Sequence, residues 1–305
     1  MNLFHKLKNY KNEMMYKTLI IFFCLYLLNS SELRSQYSEL GIGVGLTTYW
    51  GDLNSDVLLN NITTNSGLAF QLQYKYLYRN RWGLKAAFTH GQVKAHDQNS
   101  SLDWQKLRNL SFRSPINEFG VFAEYYILGF NSTKGSFPFQ PYISLGATYF
   151  AFNPSTIYQG YEIELQPLGT EGQGLPGYPD LYRKHSYGLA FGGGAKWIFS
   201  EAINLSADIL MRRTGTDYLD DISTYYINYD EFKALKSNLA PELSNRMGEY
   251  LGQSESVRVA TGSQRGGKDI TDYYFVAMIS LNIMLTDNKG RKRFGGRNAV
   301  ICPTF

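Results

Sequence analysis

The stretch LAFQLQYKYLY, residues 68–78, alternates from end to end. Leu68, Phe70, Leu72, Tyr74, Tyr76 and Tyr78 fall on one face, while Gln71, Gln73 and Lys75 fall on the other. A period of two belongs to a β-strand, whose successive side chains point to opposite sides of a sheet. One apolar face and one polar face on the same strand place it between an apolar medium and something wetter.

The same pattern recurs outward in both directions. Upstream, ELGIGVGLTTYW (39–50) sets Leu40, Ile42, Val44 and Leu46 against Gly41, Gly43 and Gly45. Downstream, a strand from Trp82 carries Leu84, Ala86 and Phe88 opposite Lys85 and Thr89. NEFGVFAEYYIL (117–128) follows, with Phe119, Val121 and Ala123 opposed to Glu118, Gly120 and Glu124. PYISLGATYFAF (141–152), SYGLAFGGGAKWIF (186–199) and INLSADILMRR (203–213) continue the series. In the last two, Lys196, Asp208 and Arg212 lie on the polar faces. The eighth segment, about 271–285, contains DYYFVAMISLNIML; there Tyr274, Ser280 and Asn282 share a face that Val276 and Met278 blur.

Composition agrees. The 305 residues are 15% aromatic, with 24 Tyr and 29 Gly, and carry a formal net charge of +4. Mean hydropathy is -0.29. A helical membrane protein needs apolar runs of roughly 20 residues, whereas this composition suits an all-β chain. The predicted fold is an eight-stranded antiparallel transmembrane β-barrel, with lipid outside and a lumen filled by side chains. Closure pairs every backbone group, as lipid requires. Trp50, Tyr78, Trp82, Trp197, Phe199, Tyr273 and Tyr274, near strand ends, suit interfacial girdles. The soluble alternative is a lipocalin-like barrel with its apolar face inward. Isolated charges of both signs among glycines (Lys85, Glu118, Glu124, Lys196, Asp208 and Arg212) favour a narrow lumen of paired charges over a solvated surface.

The connections alternate. Links around 79–81 and 200–202 are very short and 130–139 is moderate, whereas those after strands one, three, five and seven are long. Short periplasmic turns alternating with long extracellular loops is the pattern of outer-membrane barrels. It predicts an outer-membrane location with both termini periplasmic. The apolar run TLIIFFCLYLL (18–28) after Lys17 is the right length for a signal-peptide core, so 1–35 is expected to be removed, 36–286 to form the barrel and 287–305 a basic periplasmic tail. One cysteine, Cys302, then remains, and neither an internal disulfide nor a Cys/His metal site of the usual spacing is available.

Four loop segments, GDLN (51–54), NLSFRS (109–114), PLGTEGQG (167–174) and TDYLDDIS (216–223), occur in this order. Together they resemble the DUF6089 family of outer-membrane barrels of Bacteroidota, and within it the PorG-like components of the type IX secretion system. The resemblance spans about 37–285. It implies an outer-membrane barrel associated with a periplasmic ring of the PorK lipoprotein and its partner PorN.

Local motifs add no chemistry of their own. GTEGQG lacks the Lys-Ser/Thr ending of a phosphate loop and reads as a turn whose glycines need positive φ. Asp217, Asp220 and Asp221 do not follow an EF-hand spacing; loop hydrogen bonding, to Arg212 or Arg213, is the simpler reading. No nucleophile motif accompanies His90, His96 or His185, so no enzymatic activity and no cofactor is expected. DEFKALKSNLAPELSNRMGEYL (230–251) reads as two short helices interrupted by Pro241 and shielding the barrel mouth. In the tail, Arg291, Lys292, Arg293 and Arg297 precede an apolar end bearing Cys302. These are the candidate partner-binding residues, against the plainer reading of a solvated end. The expected partners are outer-membrane lipids and a PorK/PorN-like ring, with no nucleic acid and no small-molecule substrate. The alternative is a related barrel acting on a surface partner through its loops.

Overall fold

The computed structural model describes residues 37–53, 58–79, 81–129, 139–253, 256–267 and 271–286. The expected signal segment and the basic tail with Arg291, Lys292, Arg293, Arg297 and Cys302 lie outside these residues.

Eight long strands close on themselves. They are β1 (Tyr37–Trp50), β2 (Ser66–Tyr78), β3 (Trp82–His96), β4 (Ser111–Tyr126), β5 (Phe139–Phe152), β8 (His185–Ile198), β9 (Ile203–Thr214) and β10 (Tyr273–Met284). Each is antiparallel to both neighbours, and β10 pairs with β1 from Glu39 opposite Met284 to Trp50 opposite Tyr273. Among the described residues no helix is long and apolar enough to cross a membrane. The crossing elements are strands.

Side-chain direction decides which medium the barrel sits in. Ile42, Leu72, Leu84, Val121, Leu145, Leu189, Ile209 and Ile279, one from each strand, all point outward and are exposed. Ile42 and Leu145 stand 64% and 65% open. A continuous apolar wall of this size is untenable in water, and in lipid it is the expected surface. The soluble, inward-apolar alternative is thereby excluded. Aromatic pairs flank the wall: Trp82 with Tyr125 at 4.9 Å and Phe139 with Trp197 at 5.2 Å at the short-turn end, and Trp50 with Phe275 at 6.3 Å at the other. Tyr274 is not part of a girdle. It is fully buried and points into the barrel with Val276, Met278, Ser280 and Asn282, because alternation from Phe275 leaves it no other side.

Three local differences from the sequence expectation have physical causes. The segment 153–184 holds an additional hairpin, β6 (Ser155–Tyr158) and β7 (Tyr161–Glu164), which extends the sheet from β4 through Ser155 opposite Arg113. Its turn is Gln159–Gly160 with φ of 49° and 83°, the left-handed pair that a two-residue hairpin turn requires. NLSFRS is not wholly a loop: Asn109 takes left-handed backbone (φ 56°) and ends a helix, and β4 begins two residues later. Pro241 interrupts nothing. It sits in the first turn of the helix Leu239–Ser244, where a missing N–H is tolerated.

The described helices all belong to the long loops: α1 (Leu58–Asn65), α2 (Asp103–Arg108), α3 (Tyr229–Leu235), α4 (Leu239–Ser244) and α5 (Met247–Tyr250). These loops lie at one end of the barrel and the short turns at the other.

Leu145 lies near the middle of β5 on the outer wall. Leu145→Arg should cost about 2–4 kcal/mol of folding stability in lipid vesicles, read by denaturant titration. A cost near zero would mean that this wall does not face lipid.

Candidate functional site

Two polar assemblies occupy the molecule, one inside the barrel and one above its long-loop end. The inner one is held by the polar faces of the strands. Glu124 on β4 is approached by Lys75 at 3.1 Å and Lys85 at 3.4 Å, and Lys85 also faces Asp208 at 3.7 Å. Lys196 pairs with Glu39, whose other oxygen accepts from Asn204 at 3.2 Å. Tyr126 donates to Glu124 at 2.9 Å and Tyr142 to Asp208 at 3.1 Å. Higher up, Arg212 grips Glu118 with two bonds of 3.1 and 3.0 Å, and Tyr274 donates to the same carboxylate.

All of these side chains are buried. Four cations (Lys75, Lys85, Lys196, Arg212) face four anions (Glu39, Glu118, Glu124, Asp208), so the interior is neutral. Neutrality matters, because an unpaired charge in this setting costs several kcal/mol. The six lumen residues read from the sequence, Lys85, Glu118, Glu124, Lys196, Asp208 and Arg212, meet here, but in two separate groups. Glu39 and Lys75 complete them. Lys75 was visible on the polar face of its strand, and Glu39 is in phase with the inward Gly41 and Gly43. Below the charges a floor of Tyr37, Leu77, Tyr126, Tyr142 and Met284 fills the short-turn end.

The four loop motifs converge above the barrel. Arg108, one residue before NLSFRS, binds Asp97 through bonds of 2.8 and 2.7 Å and donates to the carbonyls of Asp52 and Arg265, both at 2.9 Å. Arg265 in turn reaches Glu171 of GTEGQG at 2.9 Å and the Asp221 carbonyl at 2.7 Å. Glu171 accepts from the amides of Ser223 and Thr224 at 2.9 and 3.0 Å. Asp52 of GDLN accepts from Gly267 at 2.7 Å. Asp220 and Asp272 both lie 2.7 Å from the hydroxyl of Tyr49.

The electrostatics fit a closed structure. Asp221 accepts from Thr170 and from Tyr182 at 2.6 Å, yet burial pushes its carboxyl up to about 6. Burial likewise raises Asp52, Asp97, Asp220 and Asp272. Arg265 is raised, because Glu171 and Asp221 outweigh its desolvation. Gly169, Gly172 and Gly174 have φ of 57°, 84° and 78°. This loop uses its glycines for backbone shape. Asp220 and Asp221 do make loop hydrogen bonds, but not to Arg212, which is committed to Glu118; Arg265 takes that place, 3.8 Å from Asp221.

The histidines stand elsewhere. His90 faces outward and pairs with Asn117 at 2.8 Å, His96 is exposed at the end of β3, and His185 packs against Tyr149. Among the described residues no group of three or more His, Cys, Asp or Glu is placed to hold a metal ion.

A closed eight-stranded barrel with an apolar outer wall, a charge-filled core and a loop cap defines the class of outer-membrane-type β-barrels. Within that class, residues 17–166 match the family model described as Domain of unknown function (DUF6089). No curated protein matches the chain. Among solved structures it is similar to Neisserial surface protein A at 11% identity and a TM-score of 0.37, covering 81% of this chain and 96% of that one. Ail of Yersinia pestis, in complex with sucrose octasulfate, gives 13%, 0.38, 82% and 99%. OprG of Pseudomonas aeruginosa gives 14%, 0.39, 83% and 98%. The fold itself follows from the strand pairing and the outer wall.

Arg212→Leu should destabilise the barrel by about 3–5 kcal/mol, because it strands Glu118 in the interior. Adding Glu118→Gln should recover a large part of that loss in denaturant titrations. Arg265→Ala should leave the barrel folded, as judged by its heat-modifiable gel mobility, while protease cuts within 215–267 accelerate.

Proposed function

We propose that the protein is a non-enzymatic outer-membrane barrel that anchors a periplasmic assembly, with short turns and both termini on the periplasmic side. The observation that carries this reading is the filled interior. Four ion-paired cations and an apolar floor occupy the lumen. A barrel of eight strands has just enough interior for its own side chains. Transport of a solute is therefore a poor fit, and contact through the outer surfaces and the ends is a good one.

The finer reading is a PorG-like accessory of the type IX secretion system in a member of the Bacteroidota, coupling a PorK/PorN-like ring to the outer membrane. It is supported by the DUF6089 match over 17–166 and by the four loop motifs in family order. The barrel is the anchor and the tail the handle. Arg291, Lys292, Arg293 and Arg297 meet acidic surface on the ring, and Cys302 supplies a thiol for intermolecular pairing. A second reading, a surface-binding barrel, draws on the cap, where Ile62, Leu102, Trp104 and Leu107 are exposed apolar side chains on neighbouring loops.

Affinity capture of the full chain from detergent-solubilised membranes separates the two readings. A ring lipoprotein among the co-purifying chains is the expected result, with its recovery lost when 287–305 is deleted and reduced in Cys302→Ser. Unchanged recovery after the deletion would sink the tail as the handle. If loop deletions rather than tail deletion abolish capture, the surface-binding reading replaces the first.

A further inference from the structure

Tyr49, at the long-loop end of β1, makes three polar contacts with a hydroxyl that has one hydrogen. Its oxygen lies 2.7 Å from Asp220 Oδ2, 2.7 Å from Asp272 Oδ1 and 2.9 Å from the amide nitrogen of Asp52. The amide is a donor, so the hydroxyl oxygen accepts there. The hydroxyl hydrogen serves one carboxylate. The second carboxyl oxygen, at the same distance, has no hydrogen to meet unless it brings one, and a phenol oxygen has a second lone pair to receive it. With both acids ionised, one contact would be two oxygens pressed together without a proton.

The remaining oxygens do not relieve this. Asp220 Oδ1 accepts from the Ile222 amide and Asp272 Oδ2 from the Leu219 amide, each at 2.9 Å. These bonds fix both carboxyls in place around the hydroxyl. The charged groups that face the pair are mostly acidic: Asp52 from the first loop and Asp217 from the last. Arg108 and Arg265 stand beyond Asp52, where they act on its charge. Among the described residues, no lysine or arginine contacts either carboxylate. Gly51 leaves room for the arrangement, since a Cβ there would lie 2.0 Å from the Tyr49 hydroxyl and 2.3 Å from Asp272.

We propose that Asp220 and Asp272 share one proton across Tyr49, and that this proton latches the loop cap to the barrel rim. The three residues tie β1 to both ends of the last loop, and Asp52 brings in the first. Loss of the proton leaves two buried carboxylates facing one hydroxyl, and separation of the loops is the way to solvate them. The direction of the pH response follows. A carboxyl held protonated in the folded cap has a folded pKa above its unfolded one, so its contribution is complete at acid pH. It is lost as pH rises through the folded value. Burial and the neighbouring acids both raise these two groups, so the cap is tight in acid and loosens toward alkaline pH.

The test is hydrogen exchange on the full chain purified in detergent, from pH 5 to pH 10. Protection factors, which divide out the intrinsic exchange rate, are compared for 49–53 and 216–223 against the mid-barrel strands. In the unaltered protein, loop protection should fall by up to roughly tenfold per pH unit between the carboxyl's pKa in the opened loops and its raised pKa in the closed cap, and level off above the latter, with the barrel strands unchanged. Asp272→Asn and Asp220→Asn each replace the acid with an amide that donates without titrating, and should flatten the response. Loop protection that does not fall in the unaltered protein, or that falls equally in both variants, overturns the latch. Should the variants not fold, difference infrared spectroscopy of the unaltered protein decides. The carbonyl stretch of a protonated carboxyl must disappear over the same pH range in which loop protection is lost, and its absence at every pH in the series also overturns the proposal.

Discussion

The seam where β10 meets β1 turns a sheet into a barrel, and it is held by how little β1 places inside. Gly41, Gly43 and Gly45 point inward there, opposite Asn282, Ser280 and Met278. A Cβ on Gly45 would lie 1.9 Å from the Ala277 carbonyl, and one on Gly41 would lie 2.0 Å from the Asn282 side chain. Those gaps are filled by polar side chains from the facing strands: Gln73 donates to Asn282 at 2.7 Å, and Asn282 donates to Asn204 at 2.9 Å. Without this close approach the strands could not complete the ring, and in lipid an unpaired strand edge costs several kcal/mol per orphaned group.

Closure on so small a circumference has a consequence for charge. The lumen is enclosed, so every ion inside has to find its partner inside. The strands contribute equal numbers of each sign and distribute them at two heights, with Phe122 and Leu210 between. Arg212 and Lys85 both lie over the face of Phe122, at 5.8 and 4.8 Å. The ring therefore separates the two groups in space while giving each a further favourable contact.

Much of this was legible in the sequence, for one reason: a barrel strand in lipid has two unlike faces over its whole length. Alternation from Leu68 to Tyr78 therefore located not only a strand but also its lumen side. What was not legible depended on contacts between distant segments. Glu39 has no lysine near it in sequence, and its partner Lys196 lies on β8. The convergence of GDLN, NLSFRS, GTEGQG and TDYLDDIS was invisible for the same reason, since each looks like an ordinary loop by itself. Arg265, which links three of the four loops, stands in none of these motifs. The β6–β7 hairpin did leave a signal, in the alternation of STIYQGYEIE around Gln159–Gly160, but strands of four residues are too short for a period to stand out.

The two ends of the barrel are sealed by opposite chemistry, and this constrains how the protein can act. The short-turn end is closed by a largely apolar floor whose aromatic rings pack directly, Tyr126 against Tyr142 at 5.1 Å, with only their hydroxyls turned to Glu124 and Asp208. The long-loop end is closed by a polar lattice in which arginines bridge loop carbonyls and carboxylates. Apolar packing loses little when pH or salt changes, whereas buried ion pairs and shared protons respond to pH. A change of pH therefore has more to act on at the long-loop cap than at the floor. Between the two ends the lumen is neutral and filled by side chains that pair with one another, so each end meets its surroundings through its own surface.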